Sequence, residues 1–209
     1  MKSATFGLRI TAGLLVLLGA AMVLACGGDD DDGGSGGTDK TPEASGSGGI
    51  DAGGGGNGKI EVTSSAFQDG DAIPEKYTCS GDDMAPPVKW SGVPGDAKAL
   101  VLVMDDPDAD GFVHWLVYDI PVKVTGFEET PDLATLPSGA KHGVNGFGDV
   151  GYGGPCPPGG EEHMYRIRIL ALGSELGLDA GATADDVNAA IADADVLDEG
   201  KLEGTFARE

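Results

Sequence analysis

The chain has 209 residues, of which 37 are glycine, 40% are hydrophobic and 23% are charged, a composition that fits one globular domain and not two large ones. Its 35 acidic and 13 basic side chains give a formal net charge of −22, so its electrostatic field repels nucleic-acid phosphates and anionic lipid surfaces, and no nucleic-acid partner is expected. Three cysteines and three histidines are too few for a disulfide-dense scaffold or an array of zinc fingers.

The N-terminal 25 residues are predicted to be a lipoprotein-type signal peptide. Lys2 and Arg9 precede an uncharged run from Ile10 to Ala25, which as a helix would span about 24 Å, less than the roughly 30 Å of a bilayer core. The run ends at Cys26 in a sequence that resembles a bacterial lipobox, where the cysteine is acylated. We therefore expect an exported protein, lipid-anchored through Cys26 to the bacterial cell envelope on its periplasmic or surface face. Ordinary cleavage near Ala25, with Cys26 unmodified, is the alternative.

Residues 26–58 are predicted to be a disordered tether that follows the acylated cysteine. Residues 27–58 contain fourteen glycines and six aspartates and no aromatic residue, so they cannot bury enough apolar surface to offset the entropy of ordering. Chain statistics place the following domain on the order of 30 Å from the anchor. The four aspartates at 29–32 are adjacent, without the spacing of a calcium loop, and are interpreted as a solvated spacer.

Residues 59–209 are predicted to form the folded domain. Without the seven acidic and three basic residues that precede it, this part holds 28 acidic and 10 basic side chains, a net charge near −18. Apolar and β-branched runs predict five strands, and in the fourth Tyr165, Ile167 and Ile169 alternate with Arg166 and Arg168. The predicted strands cover Lys59–Phe67, Lys98–Met104, Phe112–Ile120, Met164–Leu172 and Lys201–Ala207.

One helix is predicted after Thr183. Thr183 is a suitable N-cap, Asp186 follows three residues later as in a capping box, and Val187 and Ile191 lie on one helical face together with Ala190 and Ala194. Strands outnumber helices and do not alternate with them, which favours a mainly β, antiparallel domain.

Three polar features lie where predicted strands meet loops. They are an acidic turn that contains Asp106 and Asp108, a histidine in an apolar strand at His114, and a glycine- and proline-rich loop over residues 151–160, followed by His163 and Tyr165. Alone, the turn is equally typical of solvated surface, and His114 of a hydrogen-bonded core histidine. Two histidines and two aspartates are suitable metal ligands, but no HExxH or HxH spacing is present, so no metal and no cofactor is expected.

Cys156 lies between prolines, without a helix N-terminus that would lower its pKa and make it a nucleophile. In an exported domain Cys79 is its natural partner, and a Cys79–Cys156 disulfide and two free thiols both remain open on sequence alone.

Together these segments resemble the phosphatidylethanolamine-binding protein family, in particular its bacterial Raf-kinase-inhibitor-like branch. The resemblance follows chain order over roughly 150 residues. The matching segments are Ile73 to Cys79, Ala85 to Pro94, Asp106 to Ala109, His114-Trp115 with Ile120-Pro121, and Gly151 to Gly159, followed by His163 and Tyr165.

The resemblance implies an antiparallel fold of two sheets with one or two peripheral helices, and a small pocket for phosphate-like anions. Carried over by motif, the pocket residues would be Asp106, His114, Gly154, Pro155, His163 and Tyr165. Its wall would include Pro86, Trp90, Asp108, Cys156 and Pro157. Met164 stands where many relatives have arginine, which weakens the expected attraction for anions.

The resulting hypothesis is a non-catalytic, envelope-tethered binding protein for a phosphate-like molecule or a phospholipid head group. Histidines beside a carboxylate tend to be protonated, and with glycine N–H donors they would hold a phosphate group whose binding weakens as pH rises. An inhibitor of a protease or kinase, acting through a rigid loop at residues 126–140, is the alternative. A weak hydrolase that uses His114 or His163 as a base is the third hypothesis.

Overall fold

The computed structural model describes residues 59–130 and 135–209. The predicted signal peptide, the predicted acylation site at Cys26 and the predicted tether lie outside the described residues, as do residues 131–134 of the candidate inhibitory loop. The start of that loop is not free, because Gly126 and Phe127 pair with a neighbouring strand and Glu129 binds the side chains of Lys76 and Tyr77.

The described residues form two antiparallel sheets and one α-helix, which confirms the predicted mainly β fold. A three-stranded sheet has the order β1-β2-β5, and a five-stranded sheet has the order β6-β4-β3-β7-β8. The strands are β1 (Glu61–Thr63), β2 (Val88–Ser91), β3 (Ala99–Asp106), β4 (Phe112–Ile120), β5 (Gly126–Phe127), β6 (Lys141–His142), β7 (Glu162–Leu172) and β8 (Val196–Ala207).

The long strands agree best with their predictions. The bounds of β4 are those predicted, whereas β3, β7 and β8 each extend beyond the predicted runs. The first strand is shorter than predicted, since only Glu61–Thr63 pairs with β2. Three strands of two to four residues, β2, β5 and β6, were not predicted because such short segments are too brief to show a period of two.

The core lies between the two sheets, and the alternation in β7 determines which side chains enter it. Tyr165, Ile167 and Ile169 are at most 1% exposed, whereas Arg166 and Arg168 point to the other face and pair with Asp105. The three-stranded sheet contributes Val62, Val88 and Trp90, and the five-stranded sheet contributes Leu100, Leu102, Met104, Trp115 and Val117.

The opposite face of the five-stranded sheet is covered by helix α1 (Ala184–Asp193). The predicted capping box is present: the Thr183 hydroxyl accepts from the Asp186 amide, and the Asp186 carboxylate accepts from the Thr183 amide. Val187 is buried against β3, β4 and β7, and Ile191 packs beside it. Among the described residues, no helix is long and apolar enough to cross a membrane.

Candidate functional site

The predicted polar residues converge at one end of the five-stranded sheet. Strand β3 ends at Asp106, which is paired with Phe112 at the start of β4, and β7 begins at Glu162 beside β3. Because neighbouring strands are antiparallel, the end of β3 and the starts of β4 and β7 lie at the same edge. Asp106, His114 and His163 are therefore neighbours despite a separation of 57 residues between the first and the last.

Asp106 is a buried carboxylate whose two oxygens have different hydrogen-bond partners. One oxygen accepts hydrogen bonds from the amides of Asp108 and Ala109, at 2.9 and 3.1 Å, and so closes a 3₁₀ turn that begins at Pro107. The other lies 2.8 Å from Nδ1 of His163. Asp106 is only 3% exposed, so it fixes both the turn and the orientation of the histidine ring.

His163 is the histidine of the site whose protonated form is favoured. Its hydrogen bond to Asp106 is the main cause of a raised pKa, with the charges of Asp106 and Asp108 acting in the same direction. Its Nε2 atom has only a long contact, 3.5 Å, with the exposed carboxylate of Glu161. The protonated ring can therefore donate a hydrogen bond from Nε2 to a ligand.

His114 enters the site through an irregularity in β4. Met104 pairs with Trp115 and Asp105 pairs with Val113, so His114 is the extra residue of a β-bulge. Val113 packs on the helix side of the sheet, whereas Trp115 lies in the inner core. The bulge lets His114 also face the inner side, where its ring meets that of Tyr165 at 5.2 Å.

The pKa values of the two histidines are shifted in opposite directions, upward for His163 and downward for His114. Nδ1 of His114 lies 2.8 Å from the carbonyl oxygen of Gly153 and 3.1 Å from that of Gly154, so this nitrogen carries the proton. Burial is the main influence on the ring and lowers the pKa of His114, although the carbonyls and Asp106 oppose it. A neutral His114 keeps Nε2 as an acceptor, and this atom has no protein partner among the described residues.

Tyr165 contacts the rings of both histidines. Its ring centre is 6.4 Å from that of His163, nearly stacked, and the residue is 1% exposed. The hydroxyl is close enough to Asp106 and to the main chain of Cys156 to be influenced by both, but neither contact has the geometry of a hydrogen bond. Burial, followed by the charge of Asp106, raises the pKa of Tyr165, so the hydroxyl stays protonated and can donate.

The glycine- and proline-rich loop contributes carbonyls rather than free amides. The Gly153 amide donates to the His114 carbonyl at 2.9 Å, and the Gly154 amide donates to the Asp83 carboxylate at 2.7 Å. The N–H groups of Gly153 and Gly154 are thus already used, because the loop must satisfy its own buried backbone. Glycine is required at 154, where a Cβ atom would lie 2.5 Å from the Asp83 carboxylate and 2.6 Å from a carbonyl oxygen.

A disulfide joins Cys156 of this loop to Cys79, with 5.4 Å between the Cα atoms. The Cys79 amide also donates to the Pro155 carbonyl at 3.1 Å, and the Tyr152 hydroxyl donates to the Tyr77 carbonyl. The loop is therefore fastened to residues 77–83 by several independent contacts.

The residues expected in the pocket wall have mainly structural contacts. Trp90 donates from its indole to the Val124 carbonyl and packs edge-on against Phe127 in the core. The Asp108 carboxylate accepts from the Met164 amide and ties the 3₁₀ turn to β7. Pro86 and Pro157 are buried. No group of three metal-ligating side chains converges anywhere in residues 59–130 and 135–209.

Several residues beside the site were not identified from the sequence. Phe112 and Phe147 lie against the His114 ring, at 5.1 and 5.6 Å, and Asp83 binds the glycine loop. Arg208 lies 3.4 Å from the Cys156 sulfur and forms no ion pair within the described part of the chain, so it is a free cation beside the loop. These contacts join segments distant in sequence, and only the aromatic content of FVHW and NGF gave a local signal.

Comparisons with known proteins show the family of the chain. The model of a family described as "Phosphatidylethanolamine-binding protein" matches residues 63–207. The chain is 45% identical over 152 residues to a UPF0098 protein of Methanothermobacter thermautotrophicus, covering 71% of this chain and 99% of the relative. It is 41% identical over 150 residues to the candidate lipoprotein LppC of Mycobacterium tuberculosis, covering 70% and 72% respectively.

Solved structures show the same similarity. The crystal structure of YbcL from E. coli, described as a new member of the mammalian PEBP family, superimposes with a TM-score of 0.67 at 27% sequence identity. The superposition covers 72% of this chain and 99% of YbcL.

Proposed function

Because the chain belongs to the phosphatidylethanolamine-binding protein family, we propose that it is a binding protein, without catalytic activity of its own, whose site takes a phosphate-like group. The ligand in this proposal is a small phosphorylated molecule or a phospholipid head group. The observation that carries it is a set of three polar atoms without a strong protein partner, on side chains whose rings contact one another. They are Nε2 of His114, Nε2 of His163 and the hydroxyl of Tyr165.

These three atoms offer a definite pattern of hydrogen bonds. Neutral His114 accepts, whereas protonated His163 and Tyr165 donate. A phosphate monoanion supplies both kinds of partner, since its P–OH group donates and its other oxygens accept. The cationic His163 would make its hydrogen bond charge-assisted, which is roughly twice as strong as a neutral one.

The surrounding charge opposes a tight complex. The domain has a net charge near −18, and Asp106, Asp108 and Glu161 all lie close to His163. Arg208 is the only unpaired cation seen to contact the glycine loop in the described residues. We expect a dissociation constant near millimolar, equivalent to about 4 kcal/mol.

Binding without chemistry is favoured by the partners of the histidines. Asp106 and His163 have the arrangement of an orienting carboxylate and a base, but the other nitrogen of His163 contacts only Glu161 and no hydroxyl or thiol. Cys156 is in a disulfide. The described residues therefore place no activated nucleophile beside either histidine.

The location in the cell envelope is part of the proposal. It depends on Cys26 and the apolar run before it, and it is supported by the relative that is named as a candidate lipoprotein. In this arrangement the lipid on Cys26, rather than the acidic domain, attaches the protein to the membrane.

Titration with phosphate and phosphoethanolamine, followed by NMR, tests the proposed function. We expect shifts confined to His114, His163 and the loop at 153–160, with tighter binding at pH 6 than at pH 8, because His163 loses its proton as pH rises. His163→Gln should reduce the pH dependence to the part that comes from loss of the P–OH proton of the phosphate, and His142→Gln, which changes the remaining histidine of the chain, on β6, should leave the pH dependence unchanged. Absence of shifts at ten millimolar ligand would refute the proposal.

A further inference from the structure

Phe147 presents an aromatic ring to solvent at the margin of the site. It is 51% exposed, and Val150, three residues later, is 62% exposed. Among the described residues, Phe147 is the only aromatic side chain of this kind. A single exposed apolar residue is ordinary on a protein surface. The contacts of the Phe147 ring and of its turn therefore determine whether its exposure indicates a binding surface.

A buried asparagine holds the turn that carries Phe147. Asn145 is 5% exposed, and its side-chain oxygen accepts from the amides of Phe147 and Asp149 at 3.0 and 3.1 Å. Its side-chain nitrogen donates to the Gly151 carbonyl at 3.2 Å, and Gly148 adopts a φ of +92° that favours glycine. The exposed ring therefore stands on an ordered turn that does not need an aromatic side chain to form.

The ring continues the aromatic wall of the site. Phe147 meets Phe112 edge-on at 4.8 Å and His114 edge-on at 5.6 Å. Two glycines allow this packing: a Cβ atom at Gly146 would lie 2.5 Å from the Phe112 ring, and one at Gly153 would lie 2.7 Å from the Phe147 ring. This wall is polar at His114, and next to it the ring of Phe147 is apolar and exposed to solvent.

We infer that Phe147 and Phe112 form an apolar lip that binds the non-polar substituent of the ligand. This inference rests on the proposed function, and it narrows the ligand class to phosphate esters that carry an aryl or alkyl group. Because the rings of His114 and Phe147 are 5.6 Å apart, a phosphate group bound to His114 brings its substituent close to Phe147. An apolar substituent then packs on the exposed part of the Phe147 ring. The ammonium substituent of phosphoethanolamine gains less there, because an exposed aromatic ring attracts a cation only weakly and the substituent buries little apolar surface.

Phenyl phosphate and phosphoethanolamine test the lip because both are phosphate monoesters that differ in the substituent. We expect the full chain to bind phenyl phosphate about tenfold more tightly, the scale of one aromatic contact. Phe147→Ser should bring the two affinities within about twofold of each other by weakening phenyl phosphate alone. Val122→Ser, which changes a residue 40% exposed beyond the other end of β4, should preserve the tenfold ratio.

The outcomes separate the lip from the site itself. Binding of both esters with equal affinity, or a ratio that survives Phe147→Ser, would overturn the lip and leave the proposed function standing. Failure of both esters to bind the unaltered chain would overturn both. Phe147→Leu keeps apolar surface without the aromatic ring and should give an intermediate ratio, which guards against an indirect effect of serine on the turn.

Discussion

Removal of the Cys79–Cys156 disulfide should destabilise the domain by several kcal/mol. The two cysteines are 77 residues apart, and the loop-entropy relation for a cross-link of that length gives about 4.5 kcal/mol at 25 °C. Measured losses for native disulfides lie at about 2–5 kcal/mol, so we expect the double variant Cys79→Ser/Cys156→Ser to fall in that range. Urea unfolding followed by tryptophan fluorescence measures the change.

The slope of the unfolding transition provides a second readout. Without the cross-link the unfolded chain is more expanded, so the slope with urea should increase while the midpoint falls. Unaltered protein in the presence of a dithiol should reproduce the double variant. A loss below about 1 kcal/mol, with thiol titration showing an intact disulfide before reduction, would refute the loop-entropy argument.

The glycine loop should keep its place when the disulfide is removed. The Gly154 amide still donates to the Asp83 carboxylate, and the backbone amide at position 79 still donates to the Pro155 carbonyl. The affinity for phosphate should therefore change by less than about threefold at temperatures where the double variant is folded. A loss of all binding would show instead that the cross-link alone positions the loop.

Three further changes test other parts of the structure. Asp106→Asn should lower the pKa of His163 toward its ordinary value in an NMR titration. A raised pKa in the folded protein stabilises the fold below about pH 6.5, and this contribution is lost as pH rises through the pKa of folded His163. The variant should therefore lose more stability at pH 5.5 than at pH 8.5. Thr183→Ala should cost about 1 kcal/mol in urea unfolding through loss of the helix cap, with the exposed Ser174→Ala nearly neutral. Gly154→Ala should lower the melting temperature and shift the His114 resonances, because its Cβ atom would displace Asp83; unchanged spectra would contradict this packing.

The sequence predicted the long elements because each carries a clear periodic signal. β4 and β7 are apolar or alternating over nine and eleven residues, and the capping box before α1 is local. The disulfide partner was proposed but left open, since sequence contains no distances. The short strands β2, β5 and β6 depend on pairing with distant segments, which a local pattern does not contain.

At the site, sequence identified the residues better than their chemistry. Asp106, His114, His163 and Tyr165 do converge, but the pKa values of the two histidines shift in opposite directions, because burial dominates at His114 and only His163 has a carboxylate on its ring nitrogen. The amides of Gly154 and Gly153 donate hydrogen bonds to the Asp83 carboxylate and to the His114 carbonyl. Tautomers and amide partners are set by tertiary contacts and have no counterpart in residue spacing.

The pairing of β4 with β3 at this end of the sheet does not depend on the bulged residue His114. Without that one residue, Val113 and Trp115 would be adjacent and would still face Asp105 and Met104 in an unbroken ladder. His114 is thus a single-residue insertion at this end of β4, where the residues on both sides of it, Val113 and Trp115, pair with consecutive residues of β3. Deletion of His114 would be expected to keep the fold and to remove one of the three hydrogen-bonding atoms of the proposed ligand site, while His163 and Tyr165 stay in place.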